Sequence, residues 1–419
     1  MPVYEKYREL MFTFERNAVT IISAETGAGK TTQIPQYIVD HHIATNMSPA
    51  HVLVTQPRRL AATSIARRVA QERGVGCGRG SHVGYSVRFD HCRPTSTRQG
   101  SITFVTEGLL LRQLTENPTL DGITHIILDE VHERELSMDL LLILLRRLRL
   151  QRPDIRLILM SATAETTLRV QTPIVSIGGR CFPVKQYTLE NTLEILNEVR
   201  KALMNSNGPG PRWSDPSKFD IHMLHSSIPF SKQGHIFEPT PHGKRKIILS
   251  TNIAETSVTI NDVVFVVDAG KVRQSTYDPE SRISKLASVW ASQSNVRQRM
   301  GRAGRCQPGE SYLLMSRTRY ANLPRSLLPE LLRTDLASTA LYIKTLSMED
   351  GPRTDANQPS PSHVDQAILD LITLGALDHY QNLTPLGQLL TNIPTDPWLA
   401  KMILTGHLLQ VDEDICIVA

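Results

Sequence analysis

The feature that most constrains this chain lies within its first 31 residues. Ala18-Val19-Thr20-Ile21-Ile22 is a short β-branched run suited to a buried parallel strand. Ala24-Glu25-Thr26-Gly27-Ala28-Gly29-Lys30-Thr31 follows at once, and a helical pattern begins at about residue 30. Strand, Gly-rich loop and helix in that order read as a phosphate-binding loop. Gly27 and Gly29 let backbone N–H groups turn inward around phosphate oxygens, and the helix adds its positive N-terminus. Lys30 would neutralise the β- and γ-phosphates, and the Thr31 hydroxyl would ligate Mg²⁺. A chance Gly-rich turn is the competing reading, and the strand–loop–helix context speaks against it. The pattern ordinarily opens with glycine, where this chain has Ala24.

The alternation continues over the first 180 residues. Apolar runs at 51–55, 102–105, 125–128 and 156–160 read as strands, and stretches at 59–73, 107–116 and 138–149 as helices. Such alternation implies a parallel sheet covered on both faces, with ligands at the strands' C-terminal ends. A second α/β unit is expected from about 181 to 325, with strands at 221–224, 246–249 and 263–267. Residues 272–277 and 282–290 flank Asp278-Pro279-Glu280-Ser281 and read as a β-hairpin. From about 326 the pattern turns helical, and a small strand-like pair around 376–386 suggests a winged-helix module. The alternating glycines 74, 76, 78 and 80 read as a loop.

One of these strands ends in Asp129-Glu130. Two carboxylates after a strand are what nucleoside-triphosphate hydrolysis needs beside a phosphate loop. Asp129 would hold Mg²⁺ through its water shell, and Glu130 would orient and deprotonate the attacking water. Alone, such a pair is more often a helix N-cap.

Charge adds a partner class. The whole chain is only +5, yet residues 56–98 hold nine Arg, no Lys, and only Glu72 and Asp90 as acids. Clustered Arg is the footprint of a phosphate-bearing partner, the alternative being a solvated helix face. With 40% hydrophobic and 21% charged residues, the composition excludes disordered, collagenous and coiled-coil chains. No apolar stretch approaches the roughly 18 residues of a spanning helix. The charged start is unlike a secretory signal. Five scattered cysteines without a Cys-x-x-Cys pair argue against a disulfide framework or zinc site and for a reducing interior. A cytoplasmic or nuclear protein without membrane attachment is expected.

Together these segments resemble the DEAH/RHA (DExH-box) group of superfamily-2 RNA helicases. Gln56-Pro57-Arg58-Arg59 is similar to motif Ia of that family, Thr106-Glu107-Gly108 to Ib and Ser161-Ala162-Thr163 to III. Leu224-His225-Ser226-Ser227 stands at motif IV, and Ser250-Thr251-Asn252-Ile253-Ala254-Glu255-Thr256-Ser257 at V. Gln298-Arg299-Met300-Gly301-Arg302-Ala303-Gly304-Arg305 matches VI, and 384–387 and 394–397 resemble the region after the winged helix. Each is weak singly; their order carries the resemblance.

The resemblance implies an α/β architecture of two tandem RecA-like domains, at 1–180 and 181–325. A winged-helix domain at 326–393 and the start of a truncated helical bundle at 394–419 would follow. It implies ATP and Mg²⁺ bound by Thr26, Gly27, Ala28, Gly29, Lys30, Thr31 and Thr32, with Asp129 on the metal side. Glu130, Gln298, Arg302 and Arg305 would be catalytic, the two arginines gripping the γ-phosphate. A basic RNA-facing patch is the alternative for Arg297, Arg299, Arg302 and Arg305. The base would stack between Arg68 and Phe237, although a core role is the commoner one for a Phe. Arg58, Arg59, Thr106, Ser226, Thr251 and Asn252 would touch the RNA backbone, which positions a strand without reading sequence. His132, Ser161 and Thr163 would couple ATP occupancy to domain closure. The implied activity is 3′→5′ movement on single-stranded RNA by a monomer, with room for an activating protein partner.

Three departures stand against the family pattern. Ala24 adds a methyl group near the loop. Residues 204–220 are polar and breaker-rich where the family places an apolar strand, so a second domain that is incomplete, loosely folded or differently paired is expected. The sequence stops at Ala419, inside the expected bundle and before the family's oligonucleotide-binding fold. A catalytically weak RNA-binding scaffold derived from a helicase is therefore the second reading, and an adaptor that binds only proteins the third.

Overall fold

The structure is a computed structural model. It describes residues 1–25, 27–162, 172–179, 182–191, 218–225, 236, 238, 240, 242–255, 260, 262–278, 281, 283–346, 359–393 and 395–418. The chain divides into two compact units. The first comprises Met1–Glu133, Leu144–Val272 and Ser288–Leu327, the second Arg134–Ile143, Arg273–Ala287 and Leu328–Ala419.

Within the first unit, one eight-stranded sheet organises the N-terminal lobe. Its strands are β1 (Val19–Ala24), β2 (His51–Gln56), β3 (Val83–Val87), β4 (Asp90–Cys92), β5 (Ser101–Thr106), β6 (His125–Leu128), β7 (Arg156–Ser161) and β8 (Ile174–Ile177). They lie in the order β4-β3-β5-β2-β6-β7-β1-β8, parallel except for the β3–β4 pair. Helices α1 (Pro2–Glu5), α2 (Tyr7–Arg16), α3 (Lys30–Ala44), α4 (Arg59–Glu72) and α5 (Glu107–Glu116) join or flank these strands, as does the part of α6 (Leu136–Gln151) from Leu144 onward, its earlier residues belonging to the second unit. Central strands such as β6 are buried along their whole length, as a sheet covered on both faces requires. Ile22, Ile34, Ile38, Phe104 and Ile127 are among the residues of one continuous core.

The expected strands and helices of this lobe are all present, within about two residues at their ends. Three strands escaped the sequence reading. β3 and β4 sit in the Arg-rich window, where Gly84 interrupts the apolar pattern. A side chain there would lie 2.2 Å from the Cys92 carbonyl oxygen, so the close approach of β3 and its neighbouring chain demands glycine. β8 is an edge strand of alternating exposure, too short to stand out.

The second lobe, also in the first unit, contains β9 (Val184–Tyr187), β10 (Phe219–Leu224), β11 (Arg245–Ser250), β12 (Phe265–Asp268) and β15 (Gly309–Leu313). All its strand pairs are parallel, but among the described residues they form two sheets, β10-β11 and β12-β15-β9. Ile221, Met223, Leu249, Phe265 and Val267 stand exposed on these strands. The interval 204–217, where the sequence lacks the family's apolar strand, lies outside the described residues; Lys218 is a turn residue, and Phe219 and Asp220 begin β10. Helices α7 (Gln293–Met300) and α8 (Arg317–Ala321) complete the lobe. Leu60 of α4 packs with Leu224, Ile236 and Ile260, joining the two lobes through an apolar contact.

The hairpin forms as expected from β13 (Lys271–Asp278) and β14 (Ile283–Trp290). In the second unit, α9 (Ala337–Thr345), α10 (Pro361–Leu374), α11 (Pro385–Thr391) and α12 (Pro397–Leu408) precede α13 (Asp412–Val418). Three of these start at Ser360-Pro361, Thr384-Pro385 and Asp396-Pro397. Each capping side chain accepts a first-turn backbone N–H, and each proline sits where no N–H is needed. The strand-like pair near 376–386 is one antiparallel bridge, Leu377 to Leu383. Among the described residues, no helix is long and apolar enough to cross a membrane.

Candidate nucleotide site

The C-terminal ends of the first-lobe strands converge on one cluster. β1 runs into the loop 24–31, β2 ends at Gln56, β6 delivers Asp129 and Glu130, and β7 ends at Ser161. Gly27 (φ 83°) and Gly29 (φ 90°) are both left-handed, and Gly29 caps α3. A side chain at Gly29 would also meet Met1 Sδ at 2.8 Å. Glycine is thus required twice over there. The methyl of Ala24 is absorbed into the lobe's apolar core, where Ala24 is the last residue of β1 and pairs with Ile177.

Lys30 is buried with its Nζ 3.3 Å from Glu130 Oε2 and 3.7 Å from Asp129 Oδ1. Burial opposes its charge, but Glu130 and Asp129 overcome this and raise its pKa. Thr31 Oγ1 donates to Asp129 Oδ2 at 2.6 Å, and Gln56 Nε2 donates to the same oxygen at 2.9 Å. Burial, then the Glu130 carboxylate, pushes the Asp129 acid up. Glu130 is held down, because Lys30, His132 and Arg302 together outweigh its burial. Its backbone is left-handed (φ 57°), a strain of about 1 kcal/mol or more for a residue with a side chain. Local strain of this kind gathers at functional sites.

The second lobe meets this cluster directly. The Gln298 side-chain amide lies 2.6 Å from His132 Nε2, and Ala162 N–H donates to His132 Nδ1 at 3.3 Å. Burial keeps His132 below its ordinary pKa, against the pull of the Glu130 carboxylate. It is the Gln298 amide nitrogen, Nε2, that lies against His132 Nε2, while His132 Nδ1 lies 3.5 Å from Glu130 Oε2. Arg302 donates to the Glu255 carbonyl. Its charge is felt by Glu130 across the cleft, and burial followed by the neighbouring Arg305 pushes its pKa down.

Arg299 belongs elsewhere: it donates to Glu255 Oε2 at 2.8 Å and Asp268 Oδ1 at 2.9 Å, all three side chains being largely buried. It is a lobe-internal ion-pair centre, a role that the sequence reading did not assign to this arginine.

The remaining expected residues are placed as follows. Ala28 is buried and Thr32 half-buried beside Lys30 and Thr31; Thr32 Oγ1 approaches the Gly29 carbonyl at 3.4 Å. Arg68, more than half exposed, donates to Glu72 Oε1 at 2.7 Å. The other Glu72 oxygen accepts from Gln33 and Gln36 of α3, so Arg68 is tied to the phosphate-loop helix. Arg58 is bound to the carbonyls of Ile253 (3.0 Å) and Asn252 (3.2 Å) and so reaches across to the second lobe. Arg59, Thr251 and Asn252 are exposed, Thr106 is half-buried at the start of α5, and Ser161 is fully buried. Thr26, Thr163, Ser226 and Phe237 lie outside the described residues. Sequence reasoning missed Gln56 as a partner of Asp129 and Glu255 as the anchor of Arg299 and Arg302.

These donors suit a nucleoside triphosphate with Mg²⁺. A left-handed glycine cradle and a buried ammonium fit phosphate, while hydroxyl and carboxylate oxygens side by side fit a hard cation. Among the described residues no group of three or more His, Cys, Asp or Glu could hold a metal alone.

A phosphate loop and carboxylate pair on one parallel-sheet lobe, faced by a Gln and an arginine from another, define a superfamily-2 helicase core of RecA-like lobes. Residues 8–170 match the family model described as DEAD/DEAH box helicase, and residues 191–307 that described as helicase conserved C-terminal domain. The chain is 38% identical over 463 residues to the ATP-dependent RNA helicase DHX30 of Gallus gallus, covering 97% of this chain and 37% of that protein. To the ATP-dependent DNA/RNA helicase DHX36 of Bos taurus it is 34% identical over 507 residues, covering 97% of this chain and 50% of that protein. The crystal structure of the Escherichia coli DEAH/RHA helicase HrpB superposes with a TM-score of 0.81 at 30% identity, covering 96% of this chain and 54% of that one. The chain belongs to the DEAH/RHA type of superfamily-2 helicases. It spans about half, or less, of the length of the relatives it matches.

Proposed function

We propose that the chain is the motor part of an ATP-dependent RNA helicase that couples ATP hydrolysis to 3′→5′ movement along single-stranded RNA and to unwinding or remodelling. The observation that carries this reading is the His132–Gln298 contact, which links the carboxylate motif of one lobe to the arginine-bearing helix of the other.

In this reading Lys30 holds the β- and γ-phosphates, with the loop 26–32 around them. Thr31 and Asp129 would hold Mg²⁺, which when bound would supply charge neutralisation on the phosphates. Glu130 takes the proton of the attacking water, Gln298 positions that water, and Arg302 and Arg305 stabilise charge at the transferred phosphoryl group. The base lies against Arg68 and Phe237. Arg59, Thr106, Ser226, Thr251 and Asn252 hold the RNA backbone. Arg58 joins them when it leaves the second-lobe carbonyls it now occupies. His132, Ser161 and Thr163 transmit the nucleotide state. The proposed domains are the RecA-like pair at 1–180 and 181–325, a winged helix at 326–393, and the beginning of a helical bundle at 394–419. A monomer in cytoplasm or nucleus, open to an activating partner, completes the proposal.

The test is ATP turnover with and without oligouridine on the chain, on Lys30→Ala and on Glu130→Gln. RNA-stimulated turnover that both substitutions abolish is expected; an RNA-independent rate indifferent to them rejects the reading. The split of the second-lobe strands into two sheets, with Phe265 and Val267 exposed, favours one alternative, an RNA-binding scaffold with weak catalysis. Salt-sensitive RNA binding unaffected by Glu130→Gln, with negligible turnover, would select it.

A further inference from the structure

The carboxylate motif does not end where its chemistry ends. The chain leaves the first unit at Glu133, and the next ten residues, Arg134–Ile143, pack as part of the second. Arg134 is left-handed (φ 50°), so two strained residues, Glu130 and Arg134, bracket His132. A turn of this kind needs external support.

That support comes from a short 3₁₀ turn at Glu330–Leu332. Glu330 N–H donates to the Arg134 carbonyl at 3.1 Å, and Glu330 Oε2 accepts from Leu136 N–H at 2.9 Å. The second bond places a carboxylate on the first amide of α6, a position favoured by the helix dipole and by charge-assisted hydrogen bonding. Arg134 closes the turn from within by a bidentate pair to Asp139, at 2.7 and 3.2 Å. Leu136 packs against Leu331, Leu336 and Ala367.

Three residues further on, the same turn grips the hairpin. Tyr277 N–H donates to the Arg333 carbonyl at 2.8 Å, and the Arg333 guanidinium donates to the Ser275 carbonyl at 3.1 Å. The Tyr277 ring stacks on His363 of α10, centroids 5.5 Å apart. One turn thus holds the tail of the carboxylate motif with Glu330 and strand β13 with Arg333.

We infer that Glu330 is a positioning residue that transmits the state of the nucleotide site, through the Arg134–Leu136 turn and Arg333, to the β13–β14 hairpin. It touches neither phosphate nor water. It fixes the backbone that follows Glu130 and His132, so a shift there moves the hairpin. The inference rests on the helicase reading and adds a route by which hydrolysis reaches an element outside the nucleotide cleft.

The experiment compares the full chain with Glu330→Ala and Glu330→Gln. Three quantities are read: RNA-free ATP turnover, turnover with oligouridine, and hydrogen exchange of the Tyr277 amide with and without a non-hydrolysable ATP analogue and Mg²⁺. In Glu330→Ala, RNA stimulation is expected to fall about five-fold or more while RNA-free turnover is kept. The analogue's effect on Tyr277 exchange should vanish. Glu330→Gln keeps an acceptor for Leu136 N–H and should restore much of both. Full stimulation and an intact exchange response in Glu330→Ala would overturn the inference. So would an equal loss of RNA-free and RNA-stimulated turnover in both variants, which marks simple structural damage. A wild-type chain without RNA stimulation rejects the helicase reading instead, and the exchange response alone then decides the role of Glu330.

Discussion

His132 and Gln298, 166 positions apart in sequence, share a hydrogen bond of 2.6 Å that joins the carboxylate motif to the arginine-bearing helix α7. The ring is buried, its pKa is held below the ordinary value by that burial, and Ala162 N–H donates to its Nδ1. In the proposed function, small movements at Glu130 or at the end of β7 would reach the second lobe through this imidazole. Removing either partner should damage the chemical step more than ATP binding. His132→Ala and Gln298→Ala are each expected to lower RNA-stimulated kcat about ten-fold or more, with little change in KM for ATP. The double variant should be no worse than the poorer single one, because both remove the same contact. Steady-state turnover across an ATP titration checks both statements.

Lys30 and Glu130 touch each other, yet their loss should separate binding from catalysis. Lys30→Ala takes the buried cation from the phosphate cradle and should abolish measurable binding of a fluorescent ATP analogue. Glu130→Gln keeps the shape and loses the carboxylate proposed as the base, so binding should persist while turnover falls about 10²-fold or more. Equilibrium binding with single-turnover hydrolysis on each variant distinguishes these outcomes.

Arg299 and Arg302 make the opposite contrast within one helical turn. Arg299 sits between the buried carboxylates of Glu255 and Asp268. Arg299→Ala leaves both without their cation and should cost about 3–5 kcal/mol of stability. Arg302→Ala should leave the urea midpoint far closer to wild type while abolishing RNA-stimulated turnover. Urea unfolding followed by circular dichroism, beside the turnover assay, gives the comparison.

This contrast also shows how far the sequence could be read. The loop 24–31 and the pair Asp129-Glu130 were legible because their chemistry is local: a strand, a turn and a few adjacent residues suffice. Arg297, Arg299, Arg302 and Arg305 were not separable, because which of them meets Glu255 and Asp268 depends on how α7 lies against β12. Gln56 and Glu330 escaped for the same reason, their partners being 73 and 194 positions away. Edge strands such as β8 and the β3–β4 pair carry too short or too interrupted a pattern to be read. Arg58 shows the limit from the other side. Its motif is plain in sequence, but its partners here are backbone carbonyls of the second lobe, groups no side-chain pattern encodes.

His125 gives a pH dependence unconnected with nucleotide. It lies buried at the start of β6, its Nδ1 2.8 Å from Thr124 Oγ1 and its ring edge-on to His42. Burial, with smaller contributions from His42 and Arg156, pushes its pKa from 6.5 down to about 3. A histidine depressed in the folded state binds its proton more readily when unfolded. Its contribution to stability is therefore complete above pH 6.5, declines as pH falls below that value, and is gone below about 3. Between pH 6.5 and about 5 the loss should reach about 2 kcal/mol, since each pH step of one below 6.5 costs about 1.4 kcal/mol. His125→Gln keeps a polar side chain for Thr124 and removes the titration. Its urea midpoint should therefore fall less steeply over this interval than that of the wild type, and equal slopes would assign the acid sensitivity to another group.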